Sequence, residues 1–143
     1  MDATGTARGL IEFGGLLLAL MGASHALLSL ADAFKPRHFT PLNDDVRRRM
    51  NETSVRFSRR MNMWQSWLGF NMSHGLGVFS FGVIYSLIAI HEFSILVAFK
   101  PLMLFGILVS LVYFLIALRY WFYGPAIGAG IGFACFAVAY LLV

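Results

Sequence analysis

Residues 64–90 read WQSWLGFNMSHGLGVFSFGVIYSLIAI, a run of 27 positions without one Asp, Glu, Lys or Arg. From Trp64 to Tyr85 a helix of this sequence rises about 31 Å, the hydrocarbon thickness of a bilayer. Tryptophan at one end and tyrosine at the other suit the two membrane–water interfaces. The stretch therefore predicts a transmembrane helix, and the remaining segments are judged by the same measure.

Three more tracts qualify: residues 9–31, 99–118 and 125–143, the last close to the lower length limit for a span. Charged residues make up 13% of the 143-residue chain, and they are bunched rather than dispersed; a soluble domain carries about a quarter. The first tract includes Ala23-Ser24-His25-Ala26, small residues such as a signal-peptide cleavage point needs. It is longer than a signal-peptide core and contains Glu12 and His25, so we read it as a retained span. The fold class expected is all-α: an integral membrane four-helix bundle with up-down topology, forming a single transmembrane domain over residues 1–143.

Nine of the eleven Lys and Arg residues fall on one side of this arrangement: Lys35, Arg37, Arg47, Arg48, Arg49, Arg56, Arg59, Arg60 and Arg119. Arg8 and Lys100 fall on the other. The positive-inside rule then places the 32–63 loop in the cytoplasm and both termini outside. Trp64, Trp67, Tyr120, Trp121 and Tyr123 gather at the same interface. The net charge of +4 sits mainly in that loop, so anionic lipid headgroups, not nucleic acid, are the partner expected for the arginine-rich segment 47–60, which runs from Arg47 to Arg60. Pro36 and Pro41 break the chain after the first span, and Asn43 is a good N-cap with Asp44 and Asp45 in the first turn. Val46, Met50, Phe57 and Met61 share a helical stripe. The segment reads as an amphipathic basic helix that lies on headgroups or runs into the second span.

Small residues mark the faces on which membrane helices approach closely. The first span offers Gly15, Ala19, Gly22, Ala26 and Ser29; the second offers Ser66, Gly69, Ser73, Gly77 and Ser80; the last offers Gly124, Gly128 and Gly132. These stripes predict packing within one bundle, between the protomers of a homodimer, or in a larger membrane complex. The third span is the least patterned and should meet the most lipid.

The polar residues inside the spans carry what the sequence says of function. His25 and His74 lie in apolar surroundings, where an ionisable side chain is expensive and marks a functional site by default. Helix rise sets His25 about 9 Å and His74 about 15 Å from the same membrane face, so antiparallel neighbours hold them in one leaflet. Three readings stay open. The histidines are packing residues bonded to nearby polar groups; or they are axial ligands of a haem iron; or, with Asn71 and Ser73, they line a pocket for a hydrophobic small molecule, with Gln65 or Glu12 as further polar contacts. No carboxylate stands at ligand spacing from either histidine, so no other metal site is expected. Each Ser-His dipeptide directs its two side chains about 100° apart, which does not make a catalytic dyad. Cys135 is the sole cysteine, which excludes an internal disulfide and a CxxC pair. Glu12 pairs with Arg8 one turn earlier; His38 is a surface residue; His91-Glu92 reads as a turn closing the second span.

The box Gly69-Phe70-Asn71-Met72-Ser73-His74-Gly75-Leu76-Gly77, preceded by Gly22-Ala23-Ser24-His25 and by Pro36-Arg37-His38-Phe39-Thr40-Pro41, resembles a family of small bacterial four-helix membrane proteins. That family shows Gly-x-x-His in the first span and Gly-Phe-Asn-x-Ser-His-x-x-Gly in the second. The resemblance covers most of residues 20–80 and implies a four-helix fold in a bacterial inner (plasma) membrane, with Gly22, His25, Gly69, Phe70, Asn71, Ser73, His74 and Gly77 as its typical positions; it implies no activity. A looser similarity, of architecture alone, links the chain to four-helix membrane proteins of the DoxX type. The leading expectation is a binding or accessory membrane protein with an intramembrane pocket around His25, Asn71 and His74 for a lipid, quinone or haem. The alternatives are a small membrane enzyme or haem-binding redox subunit using the same residues, and a structural subunit of a larger complex.

Overall fold

The computed structural model describes residues 2–56 and 58–143. Among these the element order is α1 (Ala3–Phe34), α2 (Asp44–Glu52), β1 (Ser54–Val55), β2 (Ser58–Asn62), α3 (Met63–Ala98), α4 (Lys100–Tyr120) and α5 (Tyr123–Leu141). α1, α3, α4 and α5 are each long and apolar enough to cross a membrane. Their uncovered faces are apolar too, with Phe13, Leu16, Leu20, Leu27, Leu76, Leu87, Leu108, Leu115 and Ile127 among the exposed side chains. Such a surface suits lipid and not water. The chain is thus an all-helical protein with the composition of a multi-pass membrane protein.

Contacts divide the chain into two units: the stretch up to Met21 together with Val78–Val143, and Gly22–Gly77. In the first unit, parts of α1 and α3 pack with α4 and α5 around Ile11, Leu18, Tyr85, Leu96, Met103 and Phe136. Residue order shows the neighbours running antiparallel. Arg8 meets Ile90 and Glu12 meets Ser86 along α1 and α3; Gly14 meets Cys135, Leu18 meets Gly132 and Met21 meets Gly128 along α1 and α5. Phe114 faces Gly130, and Phe136 faces Gly106, along α4 and α5. Tyr85 ties α3 to α4 by donating its hydroxyl to the Leu102 carbonyl at 2.6 Å. The third span, α4, is the least buried of the four.

Glycines stand where backbones touch. A Cβ added at Gly82 would strike Ala19 N and the Gly15 carbonyl, and one at Gly106 would lie 2.7 Å from the Phe136 ring. The expected stripe on α1 is the buried one: Gly15, Ala19, Gly22 and Ser29 are all covered. The expected stripe on the second span is not. The covered face of α3 runs through Trp64, Leu68, Asn71, Gly75, Val78, Gly82, Tyr85 and Ala89, while Gly69, Ser73 and Gly77 are exposed. Gly69 meets nothing within 4 Å. Alternating three- and four-residue steps define both stripes, and the larger residues interleaved with Gly75 and Gly82 hide the buried one in the sequence.

The loop between α1 and α3 departs from the expected continuous helix. Asn43 caps α2, its side chain accepting the Asp45 N–H at 2.8 Å. The helix stops at Thr53, whose N–H reaches the Arg49 carbonyl at 2.9 Å. The chain then forms a short antiparallel ladder, Ser54 opposite Asn62 and Val55 opposite Ser58. Of the predicted stripe, Phe57 lies outside the described residues and Met61 sits in β2. Two causes end the helix: Arg56 and Arg60 would repel at helical i,i+4 spacing, and Asn62 starts a new one. Asn62 Oδ1 accepts the Gln65 N–H at 2.8 Å while Gln65 Oε1 accepts the Asn62 N–H at 3.0 Å, a reciprocal capping box. Gln65 thus has a structural task at the start of α3. At the other end α3 does not stop at residue 90: Glu92 breaks the helical geometry (φ −143°, ψ 49°) and the helix resumes to Ala98.

Gly82→Ala should lower the melting temperature in detergent by several degrees, since the added methyl meets backbone that has no side chain to move aside. Gly69→Ala should be neutral or raise stability by up to about 1 kcal/mol, from helix propensity alone. Circular-dichroism melts of the two variants check this; equal losses would mean that neither glycine marks a contact.

Candidate functional site

The unit Gly22–Gly77 holds His25 of α1 and His74 of α3, both apolar helices. α1 and α3 approach there at Gly75, where an added Cβ would lie 2.6 Å from Ala26 N and 2.9 Å from the Gly22 carbonyl. That close approach sets His25 and His74 against each other: the ring centroids are 5.4 Å apart and nearly perpendicular, at 79°. Phe70, one turn before His74, stacks on it at 6.2 Å and 15°.

Asn71 is buried between the two helices. Its Nδ2 donates to the Trp67 carbonyl at 2.8 Å, and its side chain hydrogen-bonds the His25 imidazole. With Nδ2 committed to a carbonyl, Oδ1 is the acceptor that an imidazole N–H needs. His25, Asn71 and His74 are thus brought together. Ser73 is not: its hydroxyl is exposed and turns back to the Phe70 carbonyl at 3.0 Å. Glu12 belongs to the other unit, where Arg8 Nε donates to its carboxylate at 2.8 Å as the one-turn spacing predicts.

Two residues complete the site without having been singled out in the sequence. Phe39, in the segment between α1 and α2, lays its ring on His25 with centroids 4.5 Å apart. Asp32, in the last turn of α1 and fully buried, holds that segment in place. Its Oδ1 accepts the N–H of Arg37 at 2.9 Å and of His38 at 3.0 Å; its Oδ2 accepts the N–H of Phe39 at 2.6 Å. The His38 ring adds a contact from Nδ1 to Oδ1 at 3.0 Å, so His38, read as a surface residue, serves the loop. On the other side Trp67 Nε1 donates to the Phe39 carbonyl at 2.7 Å. Trp67, expected as an interfacial anchor, is also a clasp. A signal for Asp32 did exist. A carboxylate in the last turn of a helix opposes the helix dipole, so local N–H donors must compensate a buried one.

The arrangement of the two rings does not fit a haem held between them. Two axial ligands approach one iron from opposite faces of the macrocycle, whereas these rings touch edge to face with no slab between them. Among the described residues no group of three or more His, Cys, Asp or Glu gathers.

Asp32→Ala should leave three backbone N–H groups without their acceptor, each costing about 1–3 kcal/mol where water cannot replace it. The expected outcome is a loosened 35–43 segment in which the Arg37–His38 bond becomes sensitive to trypsin. Limited proteolysis in detergent with mass mapping checks it, and unchanged resistance would show that the carboxylate does not hold the loop. No family model, curated protein or solved structure matches the chain, so its own side chains carry the functional reading.

Proposed function

We propose that this protein is a non-enzymatic, multi-pass binding or accessory protein of the bacterial inner membrane, and that His25, Asn71 and His74 hold the polar part of a hydrophobic small molecule such as a membrane lipid or a quinone. The observation that carries the reading is the meeting of two imidazoles from two apolar helices at 5.4 Å, beneath a loop phenylalanine. A lone histidine in an apolar helix is satisfied by one neighbouring carbonyl. A pair backed by a buried asparagine and faced by Phe39 and Phe70 gives directed hydrogen bonding inside an apolar, aromatic surround, which is the make-up of a small-molecule site. The Asn71 amide and the two aromatic rings beside the pair suit a ligand with a polar carbonyl or hydroxyl on an apolar body.

The orientation proposed is the one the basic residues support: the 32–63 loop in the cytoplasm, both termini outside. Arg47 pairs with Asp44 and Arg48 with Asp45. Arg49, Arg56, Arg59 and Arg60 have no carboxylate partner among the described residues, which leaves their charge for anionic headgroups.

Native mass spectrometry of gently solubilised protein tests the ligand. The expected result is a reproducible bound mass lost in His25→Ala and in His74→Ala, with the two variants non-additive in melting temperature because the rings contact one another. Strictly additive losses with no bound mass would reduce the pair to packing. A Soret band that either substitution abolishes would instead move the protein to the redox class.

Orientation is read separately in a Cys135→Ala background. Arg48→Cys should react with a membrane-impermeant maleimide only after cells are opened, and Ala3→Cys in intact cells. The reverse pattern would invert the topology.

A further inference from the structure

We infer that residues 35–41 form a latched strap over the imidazole pair, a lid whose opening admits the ligand. Between Phe34 and Asn43 the chain has no regular secondary structure, so its backbone groups must find partners elsewhere. They find two. The Asp32 carboxylate takes the N–H groups of Arg37, His38 and Phe39, and the Trp67 indole takes the Phe39 carbonyl. Asp32 belongs to α1 and Trp67 to α3, so the strap is pinned to both helices that carry the histidines. Its one ring directed at the pair is Phe39, 4.5 Å from His25.

The closed strap also carries a defect. The Thr40 hydroxyl is buried with no hydrogen-bond partner among the described residues. Burying a hydroxyl unpaired works against the closed state, and an open strap returns it to water or headgroups. Two anchors hold the strap down and one adjacent group favours release, which is the balance a gate needs. A loop meant only to connect two helices would gain stability from valine at position 40.

The inference takes its purpose from the ligand reading but is tested without a ligand. Hydrogen exchange of the full chain in detergent, followed in peptides spanning 35–42, reads the opening directly. Trp67→Phe keeps the apolar ring and removes the donor, and should speed exchange at the strap amides about five- to tenfold. Thr40→Val removes the unpaired hydroxyl at nearly constant shape and should slow it by a similar factor. Amides of α5 serve as the control and should not change, which separates strap opening from general loosening. Exchange that ignores both substitutions, or that Thr40→Val accelerates, would overturn the strap. If exchange responds as expected while His25→Ala and His74→Ala leave the bound mass untouched, the strap stands and the ligand reading falls. If the histidine variants lose the bound mass while strap exchange stays constant, the ligand reading stands and the strap falls.

Discussion

The backbones of α1 and α3 touch because side chains are missing where they meet. Gly15 and Gly82 make this possible in one unit, Gly75 with Gly22 and Ala26 in the other. Between apolar helices in lipid there is little hydrophobic drive to associate, so contact area and hydrogen bonds must supply the attraction. A single methyl at Gly82 or Gly75 would separate main chains that now touch. Everything polar between the two helices depends on that closeness. Asn71 can hydrogen-bond His25 across the interface, and the two imidazoles can meet edge to face, only because the glycine contact sets the separation.

Burial of Asp32 has a different logic. A carboxylate at the end of α1 is disfavoured by the helix dipole and by loss of water. Three backbone N–H donors and the His38 ring offset both terms. Those donors come from a proline-bounded segment that has no ladder of its own, so one side chain substitutes for a secondary-structure element. The cost of burying the charge and the cost of leaving loop amides unpaired are removed by the same set of hydrogen bonds. This coupling explains how a segment without regular structure can hold an aromatic ring against His25.

How much of this was legible differs by scale. The number of long apolar helices was plain in the sequence, because a charge-free run as long as 64–90 suits a bilayer and is what a solvated helix lacks; their ends were not, since α1 begins at Ala3 and α3 continues to Ala98. The α2 cap at Asn43 and the Arg8–Glu12 pair were legible because both depend on neighbours only two to four residues away. The burial face of α3 was not. Two small-residue stripes run along that helix, and the choice between Gly69-Ser73-Gly77 and Gly75-Gly82 is made by α1, on which local spacing is silent. The end of α2 was hidden by an absence of proline; the Asn62–Gln65 capping box that begins α3 is a four-residue signal and was available. Of the site, His25, Asn71 and His74 stood out as polar residues in apolar runs. Phe39 and Trp67 did not, since each acquires its role from contacts between separate segments of the chain; Asp32 carried a signal, a carboxylate in the last turn of α1, that was not used.

The chemistry of the imidazole pair follows from what surrounds it. Two rings from different helices meet edge to face, beside the buried Asn71 amide and the rings of Phe39 and Phe70. Asp32, the buried acid in the same unit, has its oxygens turned to the strap amides and to His38. An imidazole in its neutral form has one N–H and one lone pair, a combination that suits carbonyl, hydroxyl or amide groups. In the proposed binding role the labour divides: the imidazoles and the Asn71 amide face the ligand, and the Asp32 carboxylate holds the segment that carries Phe39.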